Sequence, residues 1–140
     1  MMVKRSIITS KIMMAEEFIR RVREKLPSTY QAFERDRDAQ DMVLFNLTQA
    51  IQTCIDIAAH IVSDECLGTA GSMNEFLYLL QEKKIISIEL TEQLVKAVGF
   101  RNVSVHGYID LDFKVAYQAA STGISDLEDF IAAIVKKYLS

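Results

Sequence analysis

The sequence predicts an all-α fold, five or six helices packed as one antiparallel bundle over residues 1–140, and three observations carry that reading. Apolar residues recur at three- and four-residue spacing along most of the chain, which turns one stripe of each helix toward a shared core. Boxes of the form Ser-x-x-Glu or Ser-x-x-Gln stand where helices should begin, since the serine hydroxyl and the acidic or amide side chain satisfy free backbone N–H groups there. No pair of alternating stretches is available to form a sheet, and no repeat, low-complexity tract or long linker divides the chain.

The first element follows from Ile8, Ile12, Ala15, Ile19, Val22 and Leu26, with Pro27 ending it. A restart is expected at Ser28-x-x-Gln31, followed by a solvated charged run, Glu34-Arg35-Asp36-Arg37-Asp38. The longest helix is predicted from about Asp38 to Cys66, with Val43, Leu47, Ala50, Cys54, Ala58 and Ile61 facing inward. Gly68 and Gly71 break it, and Ser72-x-x-Glu75 opens the next helix through Phe76, Leu77, Leu79 and Leu80. Lys83–Ser87 reads as a turn, after which Leu90, Leu94, Val95 and Val98 resume helical spacing to about His106, with Gly107 as the C-terminal cap. Asp110 to Ala120 gives another helical segment, broken at Gly123, and Ser125-x-x-Glu128 opens a last helix with Leu127, Ile131, Ile134 and Tyr138 inward.

Composition narrows the class. Half of the 140 residues are apolar and 25% are charged, so the chain can bury a core and is no candidate for disorder. Lys4, Arg5 and Lys11 interrupt the apolar opening and no small-residue cleavage site follows, which argues against a signal peptide. No run approaches the roughly 18 uninterrupted apolar residues of a membrane span, so no membrane partner is expected. Cys54 and Cys66 form no Cys-x-x-Cys or Cys/His cluster and read as reduced core thiols of a cytoplasmic protein. The net charge of −3 is unfavourable for a nucleic-acid binder, but a locally positive cleft would suffice, with modest and salt-sensitive affinity.

One stretch combines a strong cation, an amide, an imidazole and a phenol: Arg101-Asn102-Val103-Ser104-Val105-His106-Gly107-Tyr108. At about 100° per residue, Asn102 and His106 share a helix face, whereas Arg101 and His106 diverge by about 140°. The long arginine side chain can wrap around the helix, and the helix end can re-aim His106. These residue types suit cleavage of RNA by its own 2′-hydroxyl, in which the 2′-oxygen attacks phosphorus and the 5′-oxygen leaves. One group takes a proton, another supplies one, and a cation stabilises the charged phosphorus centre without a metal. An imidazole titrates near neutrality and a guanidinium offers a planar fork to phosphate oxygens. A symmetric homodimer facing two copies of the helix across a cleft would supply both acid and base. A purely structural reading of the same residues pairs Arg101 with Glu92 or Asp110, caps a helix with His106 and packs the Tyr108 ring.

Arg101-Asn102-x-x-x-His106 resembles the Arg-polar-x-x-x-His motif of HEPN domains, and Tyr108 extends it to the Arg-x4-His-x-Tyr form of HepT toxins. The helix order, the long helix containing Asp41 and Asn46, and the segment Val98–Asn102 are similar to that family too. The resemblance implies a five- or six-helix HEPN-type bundle and a dimeric, metal-independent endoribonuclease with no cofactor, the toxin of a type VII toxin–antitoxin pair. It also implies a small nucleotidyltransferase antitoxin, MntA, that transfers adenylate onto Tyr108; that bulky, charged group would block the cleft and repel substrate phosphates. In this reading His106 performs acid/base work, Arg101 binds phosphate and Asn102 orients the scissile group or His106. The alternative is a non-catalytic HEPN-type module that holds a nucleotidyltransferase or its nucleotide, and a plain helical dimerisation domain is a third possibility.

Other residues carry less. His60 has no second ligand nearby and reads as a packed or surface imidazole, and Met13 and Met14 as core or interface filler. Lys83, Lys84, Lys96 and Lys114 are the candidate basic rim for RNA, although Glu82, Glu89, Glu92, Asp110 and Asp112 are close to them in sequence.

Overall fold

The computed structural model describes residues 3–106 and 111–140, and the regular elements among them are all helical. Helix α1 spans Arg5–Lys25, α2 Tyr30–Arg35, α3 Arg37–Asp64, α4 Met73–Glu82 and α5 Ile88–Val105. A final rod joins α6, Phe113–Gln118, to α7, Ile124–Ile134, through a π-helical turn at Ala119–Gly123, and ends in a second π turn at Val135–Leu139.

The apolar stripes are buried as their spacing requires. Ile8, Ile12, Ala15, Ile19 and Val22 of α1 face Val43, Leu47, Ala50, Cys54, Ala58 and Ile61 of α3 within one core. The backbone N–H of Lys4 donates to Asp64 at 3.2 Å and Arg5 donates to the Leu139 carbonyl at 3.3 Å, so α1 begins where α3 and the final rod end. At its other end Arg23 grips Glu128 in a bidentate pair. Helix α1 therefore runs antiparallel to both neighbours. By length and composition α3 could cross a membrane, but its apolar side is turned into the bundle. Burial pushes the Cys54 thiol up to about 12, with the nearby Asp56 carboxylate adding to the effect.

Local chemistry sets the boundaries. Thr29 rather than Ser28 caps α2, accepting from Ala32 N–H at 3.1 Å. Asp36 ends α2 and caps α3 through Ala39 N–H at 3.0 Å, so the charged run is a solvated corner between two helices. Ser72 caps α4, and Glu75 reaches back to Gly71 N–H. Lys84 adopts a left-handed conformation in the turn before α5 while Ile86 drops into the core.

Three expectations change. Cys66 lies just beyond α3, which ends at Asp64, and is exposed, so only Cys54 is a core thiol. Met13 and Met14 face outward, which removes the core reading of them and leaves the interface one. Gly123 does not break the chain: its φ of −63° and ψ of −26° are helical, and Ser125 returns its hydroxyl to the Thr122 carbonyl at 2.7 Å instead of capping a new helix. A glycine in a helix costs backbone entropy without needing its freedom. A Cβ at position 123 would meet Ala119 Cβ at 3.8 Å and the Gln118 carbonyl at 3.9 Å, both ordinary contacts. Gly123→Ala should therefore stabilise the fold by about 0.5–1 kcal/mol, read as a higher urea midpoint at unchanged slope; a lower midpoint would show that the π turn needs the glycine.

Candidate functional site at the end of the fifth helix

Helix α5 starts from Ser87, whose hydroxyl accepts from Leu90 N–H at 3.1 Å, and Thr91, Leu94 and Val98 anchor it in the core. Burial then thins out. Beyond Gly99, Phe100 is 9% exposed and is the last buried side chain of the helix. Arg101 and Ser104 are half-buried, and Asn102, Val103, Val105 and His106 are exposed. The motif is thus one terminal turn protruding from a well-packed rod.

Within that turn, Arg101 Nη1 donates to Asn102 Oδ1 at 3.2 Å, so the guanidinium leans around the helix toward the face that Asn102 shares with His106. Arg101 Nε is enclosed yet has no hydrogen-bond partner among the described residues. A buried donor left unpaired is costly, and an incoming anionic oxygen would relieve that cost. No carboxylate among the described residues forms an ion pair with Arg101, which removes the expected pairing with Glu92; Asp110 lies outside the described residues. His106 occupies the C-cap position, its backbone N–H bonding to the Val103 carbonyl at 3.2 Å while the ring stands in solvent. Arg101 and His106 share no hydrogen bond. The expected cap Gly107 and acceptor Tyr108 also lie outside the described residues.

Two hydroxyls, absent from the residues the sequence singled out, join this turn to the core helix. Thr48 Oγ1 of α3 lies 2.9 Å from Ser104 Oγ, and Ser104 Oγ donates to the Arg101 carbonyl at 2.9 Å. The α3 residues noted with the motif do not reach it: Asn46 is buried and donates to the Met42 carbonyl of its own helix at 2.7 Å, and Asp41 is exposed near Arg37 at 3.8 Å.

A cleft of about 490 Å³ opens on the adjoining face of α5, with Leu47, Ile51 and Phe100 at its floor and Lys96, Gln118 and Asp126 at its edge. Of the four candidate rim lysines, only Lys96 is there. Lys83 and Lys84 sit at the far end of α5, roughly 20 Å away at 1.5 Å rise per residue, and Lys114 lies over the Tyr30 ring at 6.0 Å. His60 is half-buried on α3, and among the described residues no three His, Cys, Asp or Glu side chains gather as a metal site.

The family model described as HepT-like, Ribonuclease HepT-like, matches residues 15–134. This chain belongs to the ribonuclease HepT-like family. The mRNA nuclease HepT of Shewanella oneidensis is 34% identical over 128 residues, covering 91% of this chain and 96% of that protein. The tRNA nuclease HepT of Aphanizomenon flos-aquae is 30% identical over 96 residues, covering 68% of this chain and 65% of its own length. Among solved structures, tri-AMPylated Shewanella oneidensis HEPN toxin in complex with MNT antitoxin superposes with a TM-score of 0.85 at 34% identity, covering 91% of this chain and 96% of that one. The six helical rods are accordingly a HepT-like, HEPN-type bundle.

Burial raises the Asp126 carboxyl at the edge of the cleft; nearby Asp129 adds to the shift and Lys96 opposes it. The folded chain thus holds a proton over a range where the unfolded chain has already released it. Stability contributed by that proton is present below the ordinary aspartate range and is lost as pH rises through the folded value. Asp126→Asn should flatten the decline in stability above about pH 4, the ordinary aspartate value, in urea titrations at stepped pH; an unchanged slope would assign it to other groups.

Proposed function

We propose that this chain is the toxin of a two-component toxin–antitoxin system, a metal-independent endoribonuclease that works as a homodimer and is silenced when a nucleotidyltransferase partner adenylylates Tyr108. The observation that carries the nuclease reading is the Arg101 guanidinium, held by Asn102 on the His106 side of α5 with an enclosed, unpaired Nε–H. Such a donor is suited to a phosphate oxygen, and planar guanidinium donors grip phosphate by two parallel bonds. His106, exposed beside it, has the access that proton transfer to or from a ribose or leaving oxygen requires. Asn102 supports the guanidinium and orients the scissile group.

One imidazole cannot both take the 2′-proton and deliver one to the 5′-oxygen in a single concerted step, so a second copy supplies the other group. The surface beside the motif favours such a pairing: Val103 is 42% exposed, Val105 48% and Phe45 of α3 59%, and apolar surface of this kind marks protein interfaces. The names of the relatives support the substrate class and the partner, being an mRNA nuclease, a tRNA nuclease and a toxin bound to its antitoxin. The net charge of −3 and the distance of Lys83 and Lys84 from the motif favour, as the second reading, a module that binds a nucleotidyltransferase without cutting RNA.

Product chemistry separates the two. In EDTA, the purified protein should generate RNA fragments ending in 2′,3′-cyclic phosphate, and His106→Ala should lower the rate by at least about a hundredfold with an unchanged unfolding midpoint. Sedimentation of the active sample should give twice the chain mass. Intact RNA would favour the binding module; cleavage by folded His106→Ala would overturn the role of His106, and an active monomer that of the second copy.

Regulation is read by mass. Co-expression with an MntA-like nucleotidyltransferase should add one to three adenylate-sized increments, mapping to Tyr108 and absent without the partner. Increments that persist in Tyr108→Phe would move the acceptor elsewhere.

A further inference from the structure

The motif turn has little to hold it. Gly99 sits in α5 two residues before Arg101 with nothing within 4 Å of where its Cβ would be, and among residues 101–106 no side chain is buried. Apolar packing ends with Phe100. Among the described residues, what ties the turn to the bundle beyond that ring is the pair Thr48–Ser104, a part-buried side-chain bond between α3 and α5.

The direction of its protons can be deduced. A serine hydroxyl has one hydrogen, and Ser104 donates it to the Arg101 carbonyl. Thr48 must then be the donor to Ser104 Oγ. The contrast with other hydroxyls is informative: Thr53, Thr91 and Ser121 return theirs to carbonyls four residues back in their own helices, whereas Thr48 spends its hydroxyl on another helix. The resulting chain runs from the most deeply buried helix to the backbone of Arg101 itself.

We propose that Thr48 and Ser104 are positioning residues, a hydroxyl relay that fixes the bearing of the Arg101–His106 turn relative to α3. The inference rests on the nuclease reading for its catalytic consequence, though not for its structural one. Arg101 and His106 diverge on an ideal helix, so their usefulness depends on a fixed rotation of this last turn. A small misplacement of oriented groups costs rate while leaving binding through remote contacts largely intact.

The test uses Thr48→Val, which keeps the shape and removes the donor, with Thr48→Ser as the restoring variant, both in the full chain. Thr48→Val should lower kcat for RNA cleavage about tenfold with KM changed less than twofold, and Thr48→Ser should recover most of it. Hydrogen exchange of the Ser104, Val105 and His106 amides should quicken in Thr48→Val, return in Thr48→Ser, and stay constant for amides of α1. Exchange that is unchanged at 104–106, or faster throughout the molecule, would overturn the proposal, as would wild-type kcat in Thr48→Val. If the wild type cuts no RNA, the nuclease reading fails by itself and the exchange pattern alone decides the relay.

Discussion

Burial of α3 is the constraint from which the rest of the bundle follows. A 28-residue helix with fourteen buried positions on several of its faces cannot be stable at a surface, so it has to be wrapped. Helix α1 covers one side along most of its length, α4 and α5 cover another, and the final rod closes the remainder. Polar side chains on this helix are accommodated individually: Gln40 donates to the Phe33 and Glu34 carbonyls, and Asn46 and Thr53 bond their own backbone. Thr48, like Gln40, reaches a neighbouring helix, and it does so at the height of the Arg101 turn.

Much of this was legible in the sequence because helical spacing reports burial directly. The stripes of α1 and α3, the Ser72 cap and the turn before α5 all stand where spacing and capping put them. What was not legible depends on geometry across helices. The relation of Thr48 to Ser104 joins residues 56 apart and leaves no periodic mark. Cys66 stands at helical spacing four residues after Val62 but falls beyond the last turn of α3 and turns to solvent. Lys83 and Lys84 part from Lys96 and the motif because a straight helix carries its two ends far apart. Arg101, Asn102 and His106 could be singled out from residue type and spacing; the lean of the guanidinium toward Asn102, which makes the spacing useful, required coordinates.

The site thus combines rigid and exposed parts in an unequal way. Its elements stand on a helix anchored by Thr91, Leu94 and Val98, yet the groups proposed to react extend past the last buried side chain. Exposure gives access to a polymer as large as RNA, and it also leaves the orientation of the turn to a few polar contacts. An acidic chain adds little long-range attraction for phosphates, so the proposed RNA recognition would rest on short-range fit at the motif and the adjoining cleft.

The π turn at Ala119–Gly123 settles a problem of phase. Ala116, Ala120 and Ile124 are all buried, and their spacing takes eight residues to make two turns. An ideal α-helix would overshoot by about 80° over that length and carry Ile124 toward the edge of the stripe. Wider winding absorbs the difference, so the packing against α2 upstream and against α1 and α3 downstream draws on one continuous stripe. The π turn therefore holds one surplus residue: losing a single residue there would restore tight winding, with seven residues turning through about 700°, and leave the two halves of the rod in phase, whichever residue was lost.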